Sequence, residues 1–317
     1  MISESSAIDA AGIELSVVVP AFNEEHGIAA FLGLLFDELG KCCNSFEVWV
    51  IDDGSRDGTW KHLAAERSRH PRLRALRFTR NFGKEAAMLA GLRHATGRAV
   101  IVMDADGQHP PSLLPQLLEP WRAGRAQIVA AQKAVRASDG LATRMNARFF
   151  NAMMRALTGL DLTAASDYRL LDRRVVDALL AFPEKVRFFR GMTAWTGFGV
   201  EYVSFDVAPR IAGASHWSGA QLAQLAVSAI SAYSAKPLVL ILRLGLIGMV
   251  GAVALFLQAL YSWFTGIAVS GWTSLTVVVL FFGSANLLGM GVLGIYLAQL
   301  FDEIKARPEY LVWEQLD

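Results

Sequence analysis

The sequence predicts an α/β fold with a mostly parallel sheet, followed by two membrane-crossing helices. Three observations carry that expectation. Short β-rich apolar runs alternate with helical patterns, acidic clusters directly follow several of those runs, and two long uncharged stretches lie near the C-terminus. The chain has 317 residues, 53% hydrophobic and 19% charged, which is too apolar for an ordinary water-soluble domain and too rich in core residues for a disordered one. Its charge is uneven: 27 of the 30 Lys and Arg and 24 of the 29 Asp and Glu fall in the first 236 residues, a balance near +3. That stretch reads as an ordinarily charged globular unit, long enough for one large core. So small a net charge argues against nucleic acid as a partner. Cys42 and Cys43 are the only cysteines and are adjacent, which excludes a secreted disulfide framework and fits packing in a reducing compartment.

The expected strands are LSVVVP (15–20), FEVWVI (46–51), LRALRF (73–78), RAVIVM (98–103) and QIVAAQ (126–131), with helices near 25–39, 57–69, 83–95 and 112–122. Alternation at this spacing implies parallel strands with helices on both faces. Ligands on such sheets bind beyond the carboxyl ends of the strands.

Those ends are acidic. Pro20-Ala-Phe-Asn23-Glu24-Glu25 follows the first strand, Asp52-Asp53-Gly-Ser-Arg-Asp57-Gly-Thr59 the second, and Asp104-Ala-Asp106-Gly-Gln108-His-Pro the fourth. Helix capping accounts for Asn23 or Asp57 taken singly. It does not account for Asp104 and Asp106 directly after an apolar strand. Residues i and i+2 of an extended chain point the same way, so both carboxylates can address one ion. Oxygen ligands of this kind suit Mg²⁺ or Mn²⁺ shared with substrate phosphates. His26, His62, His70, His94 and His109 have no metal-ligand spacing and read as incidental.

Residues 244–264 and 275–298 contain no charge. At about 1.5 Å per residue each run reaches the roughly 30 Å of a bilayer's hydrocarbon core. A buried soluble helix is the alternative, and two such runs in succession argue against it. Lys236 and Arg243 precede the pair, while Lys305 and Arg307 follow it, so both ends are expected to face the cytoplasm. Gly245, Gly248, Gly251, Gly289, Gly291 and Gly294 would let helix backbones approach, within the hairpin or in a homo-oligomer. The polar N-terminus lacks the charged start of a signal peptide, so the large domain is expected to stay in the cytoplasm.

PAFNEE, VIDDGSRDGT and MDADGQHP, in that order, resemble the family-2 inverting glycosyltransferases of the GT-A fold. RNFGKEAAMLAGL (80–92), SDYRLLDRRVVDAL (166–179) and RFFRGMTAWTGF (187–198) narrow the likeness to polyprenyl-phosphate glycosyltransferases, particularly bactoprenol glucosyltransferases and, more distantly, dolichol-phosphate mannosyltransferases. The resemblance extends through the paired apolar runs to DEIKARPEYLV (302–312). It implies a cytoplasmic GT-A domain over 1–210, a juxtamembrane amphipathic segment over 211–236, two spans within 237–301 (about 238–264 and 275–300) and a cytoplasmic tail over 302–317. The implied location is the cytoplasmic (inner) membrane, as a multi-pass protein.

The resemblance also implies roles. Pro20, Phe22 and Glu24, with Asp52 and Asp53, would hold the nucleotide's base and ribose, and Lys84 joins the donor-binding set. Asp104, Ala105 and Asp106 would meet the diphosphate, with Asp106 and Gln108 as ligands of Mg²⁺ or Mn²⁺. Arg210 opens a phosphate-contacting element that here reads Arg-Ile-Ala-Gly-Ala-Ser215-His216, with His in place of the expected Lys. Ser166 likewise replaces a usual Gly. The Q-x-x-R-W element of processive polysaccharide synthases is missing, so a single transfer is expected.

The implied acceptor, a polyprenyl phosphate monoester, has a second pKa of about 6 by analogy with phosphorylated side chains and needs little general-base help. Positioning and charge screening should therefore matter most. Asp167, on the acceptor side, is the remaining candidate for base or orienting group; capping or pairing with an Arg is its plainer role. Over 141–157, Arg144, Arg148 and Arg155 fall within roughly 40° of one another on a helix. This is either a solvated face or, with Lys133 and Arg136, a path for lipid phosphate. Residues 217–233 have the spacing of an interfacial helix, or of a core-packed one. Phe188 and Phe189, between Arg187 and Arg190, could also sit at the membrane surface. The expected reaction moves one hexose, glucose, from UDP-sugar to undecaprenyl phosphate. A GDP-mannose-dependent transferase is the enzymatic alternative, and a non-catalytic membrane-anchored assembly subunit the alternative of another class.

Overall fold

The computed structural model describes residues 12–133, 167–184, 187–205, 234, 236–265 and 271–317. The chain divides into two units, Met1–Ser218 with Arg307–Asp317, and Gly219–Ala306.

The first unit is built on an eight-stranded sheet of order β7-β5-β6-β4-β1-β2-β3-β8. Its strands are β1 (Leu15–Ala21), β2 (Phe46–Asp52), β3 (Leu73–Phe78), β4 (Ala99–Val102), β5 (Ile128–Lys133), β6 (Arg169–Asp172), β7 (Val200–Phe205) and β8 (Val312–Leu316). All seven residues of β1 and all seven of β2 are buried. A strand covered on both faces needs apolar side chains in both directions, which is why these runs are continuous rather than alternating. The helices between them are α1 (Ile28–Cys42), α2 (Thr59–Arg69), α3 (Lys84–His94) and α4 (Leu114–Arg122), then α5 (Arg173–Leu180) and α6 (Phe189–Trp195) after β6.

The five expected strands and four expected helices are present, shifted by a few residues at their ends. Three further strands, β6, β7 and β8, join the sheet, and two of them make it mixed. β6 runs antiparallel to β4 and β5, and β8 runs antiparallel to β3. β6 is only four residues and β8 reads Val-Trp-Glu-Gln-Leu, too short and too polar for a periodicity argument. The stretch expected to be a tail, 302–317, thus ends as an edge strand of the sheet. Buried charge here is matched: Glu47, 2% exposed, accepts from Ser16 Oγ at 2.7 Å, Thr96 N at 2.7 Å and Arg74 at 3.1 Å.

The second unit contains α7 (Lys236–Phe264) and α8 (Trp272–Ile304). Both are long and apolar enough to cross a membrane. Leu242, Ile247, Val250, Leu287 and Leu288 are all more than 60% exposed, an apolar surface far larger than water-soluble monomers present. Of the six glycines noted above, Gly248 faces the Phe282 ring and Gly289 faces Ile241. Among the described residues, a Cβ on any of the other four would meet nothing within 4 Å.

Candidate functional site

β1, β2, β3 and β4 are mutually parallel, so their carboxyl ends share one edge of the sheet. Two of the connecting loops there are laced together. The backbone N–H of Asn23 donates to Ser55 Oγ (2.9 Å), that of Glu24 to Thr59 Oγ1 (2.9 Å) and that of Glu25 to Asp57 Oδ2 (3.2 Å). In return Asn23 Oδ1 accepts from Arg56 N at 3.0 Å, and Glu25 Oε2 from Gly58 N at 2.7 Å. Much of the acidity of both motifs is therefore spent on loop geometry.

Asp52 and Asp53 continue this pattern. Asp52 is fully buried and accepts from Ser55 N at 2.8 Å; its second oxygen has no hydrogen-bond partner and lies 3.6 Å from Arg77 Nε. Asp53 accepts from Phe82 N at 2.7 Å and Gly83 N at 2.9 Å, fixing the turn that opens α3. Burial pushes both carboxyls above the usual range. Gly54 lies between this loop and Arg80: its φ is +69° and a Cβ would stand 2.4 Å from the Arg80 carbonyl carbon, so no other residue fits. The two loops and β3 enclose an open cleft of about 500 Å³, lined by Phe22, Asn23, Ser55, Arg56, Arg80 and Trp313 among others. Phe22 is 43% exposed there. Pro20 is buried within β1, opposite Ile51.

The turn after β4 carries the second cluster. Asp104, Asp106 and Gln108 are half-buried, and Ala105 is buried between them. Asp106 Oδ1 accepts from Gln108 N at 3.0 Å across Gly107, whose φ is +76°. The backbone N–H of Asp104 donates to His109 Nδ1 at 3.0 Å. That fixes His109 as the tautomer protonated on Nε2. Its ring is 4% exposed and stacks on Tyr168 at 4.9 Å, while Tyr168 donates to Pro110 O at 3.1 Å. Burial lowers the His109 pKa and keeps it neutral. Far from being incidental, His109 is the strut under the Asp104 backbone, and only contact with a distant aromatic identifies it.

Lys84, the first residue of α3, places its ammonium 2.6 Å from Asp104 and 2.7 Å from Asp167. Arg190 of α6 grips Asp167 from the other side, Nε to Oδ1 at 2.7 Å and Nη2 to Oδ2 at 3.1 Å. Burial alone would raise Asp167, but Lys84 and Arg190 together hold it far below the usual carboxylate range. Burial opposes the Lys84 charge as well, and Asp167 and Asp104 outweigh it. Neighbouring Glu85 borders a void of about 20 Å³ with Met88, Leu89, Leu179 and Phe189. Burial there, with the Asp167 charge nearby, pushes it up to about 7, although it accepts from Phe189 N at 2.9 Å.

The structure thus gathers Lys84, Asp104 and Asp167 into one ion-paired cluster and puts Asp106 and Gln108 in the turn beside it. Arg190 is an addition. Within the run around it, Phe189 is 4% exposed, and the Arg187 side chain, 7% exposed, binds Glu309 at 2.9 Å and the Phe182 carbonyl at 3.0 Å. These two are not offered to a lipid surface, whereas Phe188 and Arg190 are half-buried. A guanidinium as fully satisfied inside the protein as that of Arg187 has nothing left for lipid. Lys133 ends β5, opposite Phe205. Arg136, Arg144, Arg148, Arg155, Ser166, Arg210, Ser215 and His216, and the segment 217–233, lie outside the described residues.

Asp106 and Gln108 offer hard oxygen donors. Among the described residues no group of three His, Cys, Asp or Glu side chains is arranged to hold a metal. A Mg²⁺ or Mn²⁺ ion fits this turn when diphosphate oxygens and water complete its shell, the way Mg²⁺ usually binds.

The sequence model described as Glycosyl transferase family 2 matches residues 16–180, the stretch that supplies β1 to α5. A protein of Escherichia coli named "prophage bactoprenol glucosyl transferase homolog" is 38% identical over 95% of this chain and 98% of its own length. The bactoprenol glucosyl transferase of Shigella phage SfII is 36% identical over 95% and 97%. An uncharacterized glycosyltransferase of Synechocystis is 35% identical over 95% of both chains. Among solved structures, glucosyl-3-phosphoglycerate synthase of Mycobacterium tuberculosis aligns with a TM-score of 0.49 at 22% identity, over 74% of this chain and 84% of that one.

Proposed function

The chain belongs to glycosyl transferase family 2, and from that premise we propose that it moves a single glucose, with inversion, from UDP-glucose to a polyprenyl phosphate. The observation that carries this reading is the reach of the similarity. Relatives named bactoprenol glucosyl transferases match 95% of the chain, so the two apolar helices are shared along with the catalytic unit.

The site supports each part. The 500 Å³ cleft is the right size for a nucleotide, and Phe22, Arg56 and Arg80 offer it an aromatic face and positive charge. Asp106 and Gln108 would hold the divalent ion, which when bound supplies Lewis-acid stabilisation of the departing diphosphate. Lys84 brings a cation to the Asp104 carboxylate, so the acidic turn does not simply repel an anionic donor. Asp167, doubly ion-paired, is too weak a base to take a proton near neutral pH. A phosphate monoester is already anionic there and needs none. We therefore assign Asp167 an orienting role: it fixes Lys84 and Arg190, the cations that an anionic acceptor meets. Lys133, Arg136, Arg144, Arg148, Arg210, Ser215 and His216 are proposed to extend that phosphate path, and Glu24, Asp52 and Asp53 to shape the donor loops.

Both apolar helices are proposed to span the cytoplasmic membrane with the catalytic unit inside the cell. β8 follows the second helix and pairs with β3, which precedes the first. That pairing supports a topology in which both ends of the helix pair lie on the same side, with two crossings. The basic residues flanking the pair favour the cytoplasmic side.

The test supplies purified full-length protein with polyprenyl phosphate, Mg²⁺ or Mn²⁺, and labelled UDP-glucose or GDP-mannose. Label should enter the lipid from UDP-glucose. Entry from GDP-mannose alone overturns the donor, and entry from neither overturns the enzymatic reading of this acceptor.

A further inference from the structure

One wall of the donor cleft comes from the far end of the chain. Trp313 of β8 lines it together with Phe22, Arg56 and Arg80. The pairing explains how. Arg77 opposes Glu314 and Phe78 opposes Val312, so two consecutive residues of β3 face two residues of β8 that flank Trp313. Trp313 is the extra residue of a β-bulge, a feature that redirects a side chain out of the regular ladder. Its indole is 69% exposed. The residues around it are held firmly: Glu314 accepts from Trp60 Nε1 at 2.5 Å, Leu311 O accepts from Thr79 N at 3.0 Å, and Asp317 O accepts from Arg67 Nε at 3.0 Å. An open aromatic face on a fixed strand, in a cleft that also holds arginines, matches a ligand with a flat base and a phosphate tail.

We propose that Trp313 is the aromatic wall on which the donor's nucleobase stacks, so that the strand following the second apolar helix completes the nucleotide pocket. The proposal rests on the reading of this cleft as the donor site. Stacking on an aromatic contributes strongly per base and needs no hydrogen-bond match. The fixed strand also means that little ordering is lost when the base arrives.

The test measures binding of UDP, GDP and pyrophosphate to the full-length protein in detergent, for wild type, Trp313→Ala, Trp313→Leu and Trp313→Phe. The Ala and Leu variants should bind UDP about tenfold more weakly. Their affinity for pyrophosphate, which has no base, should stay within about twofold of wild type, and Phe should restore most of the UDP affinity. Leu keeps an apolar edge residue and decides the matter if the Ala variant folds poorly. Unchanged UDP binding in the Leu variant, equal weakening of UDP and pyrophosphate, or no rescue by Phe overturns the proposal and leaves the donor reading standing. A wild-type protein that binds neither UDP nor GDP overturns both.

Discussion

Asp167 shows how a residue type can mislead until its partners are known. A carboxylate in an acceptor segment invites the role of general base, yet two cations within 3 Å hold its proton affinity down. Asp167→Asn should therefore lower kcat by loosening Lys84 and Arg190 rather than by removing a base, and its pH–rate profile between pH 6 and 8 should keep the wild-type shape. Loss of an acidic limb in that profile, the limb a general base produces, would refute the orienting role. Asp106→Ala should abolish divalent-dependent transfer while leaving the unfolding midpoint within a few degrees; retained activity would remove the metal assignment. Glu85 gives a pH-dependent stability term of definite sign. Its native pKa of about 7 lies above the ordinary 4.5, so the native state binds the extra proton and stability declines as pH rises from about 4.5 through 7. Glu85→Gln should lack that decline, a difference on the order of 1–3 kcal/mol that thermal melts at pH 5.5 and 8 will read.

At the scale of elements, α3 matters most because it carries Lys84 at its first residue and lies tightly on the sheet. A Cβ on Gly91 would meet Val18 Cγ1 at 2.1 Å, so the helix rests directly on β1. Gly91→Ala should lift α3 from β1 at a cost of about 1–3 kcal/mol. Activity should fall further than stability alone explains, because Lys84 moves with the helix; comparing kcat with the unfolding midpoint separates the two. The β4 turn depends likewise on a side chain from its own far end. His109 accepts the Asp104 N–H and stacks between the turn and Tyr168. These supports were not visible in the sequence, since a single histidine five residues after an aspartate has no characteristic spacing. β1, β2, β4 and β5 were legible because strands covered on both faces have to be apolar in both directions, and β3 because its apolar positions bracket Arg74 and Arg77 in a short run. β6 and β8 were not, because an antiparallel insert and an edge strand obey no such rule.

At the scale of the molecule, the chain leaves the first unit for two apolar helices and returns to finish the same sheet. Arg93 and Arg187 both bind Glu309, at 2.7 and 2.9 Å, and Tyr310 stacks on Phe78 at 4.9 Å. The returning segment is thus bound to α3, to the segment before α6 and to β3. Ending the chain at Ala306 should lower the unfolding midpoint of the catalytic unit and expose the β3 edge, with aggregation as the visible result. A truncated protein that melts like the full chain would show the segment to be dispensable for stability.

The amino-acid sequence by itself determined the α/β class, the positions of the first five strands along the chain, the acidic strand ends and the paired apolar helices, because each depends on local composition or on the covering of two strand faces. Which acids bind loop backbone and which share a cation was decided only by tertiary contacts. Asp53, Asp57 and Glu25 bind backbone N–H groups of their own and neighbouring loops, while Asp104 and Asp167 share an ammonium from a helix that starts elsewhere in the chain. The placement of Trp313 was decided in the same way, since it depends on the register of two strands more than two hundred residues apart in sequence. Electrostatic and hydrogen-bond partnership acts over a few ångströms of space, and sequence separation carries no record of it.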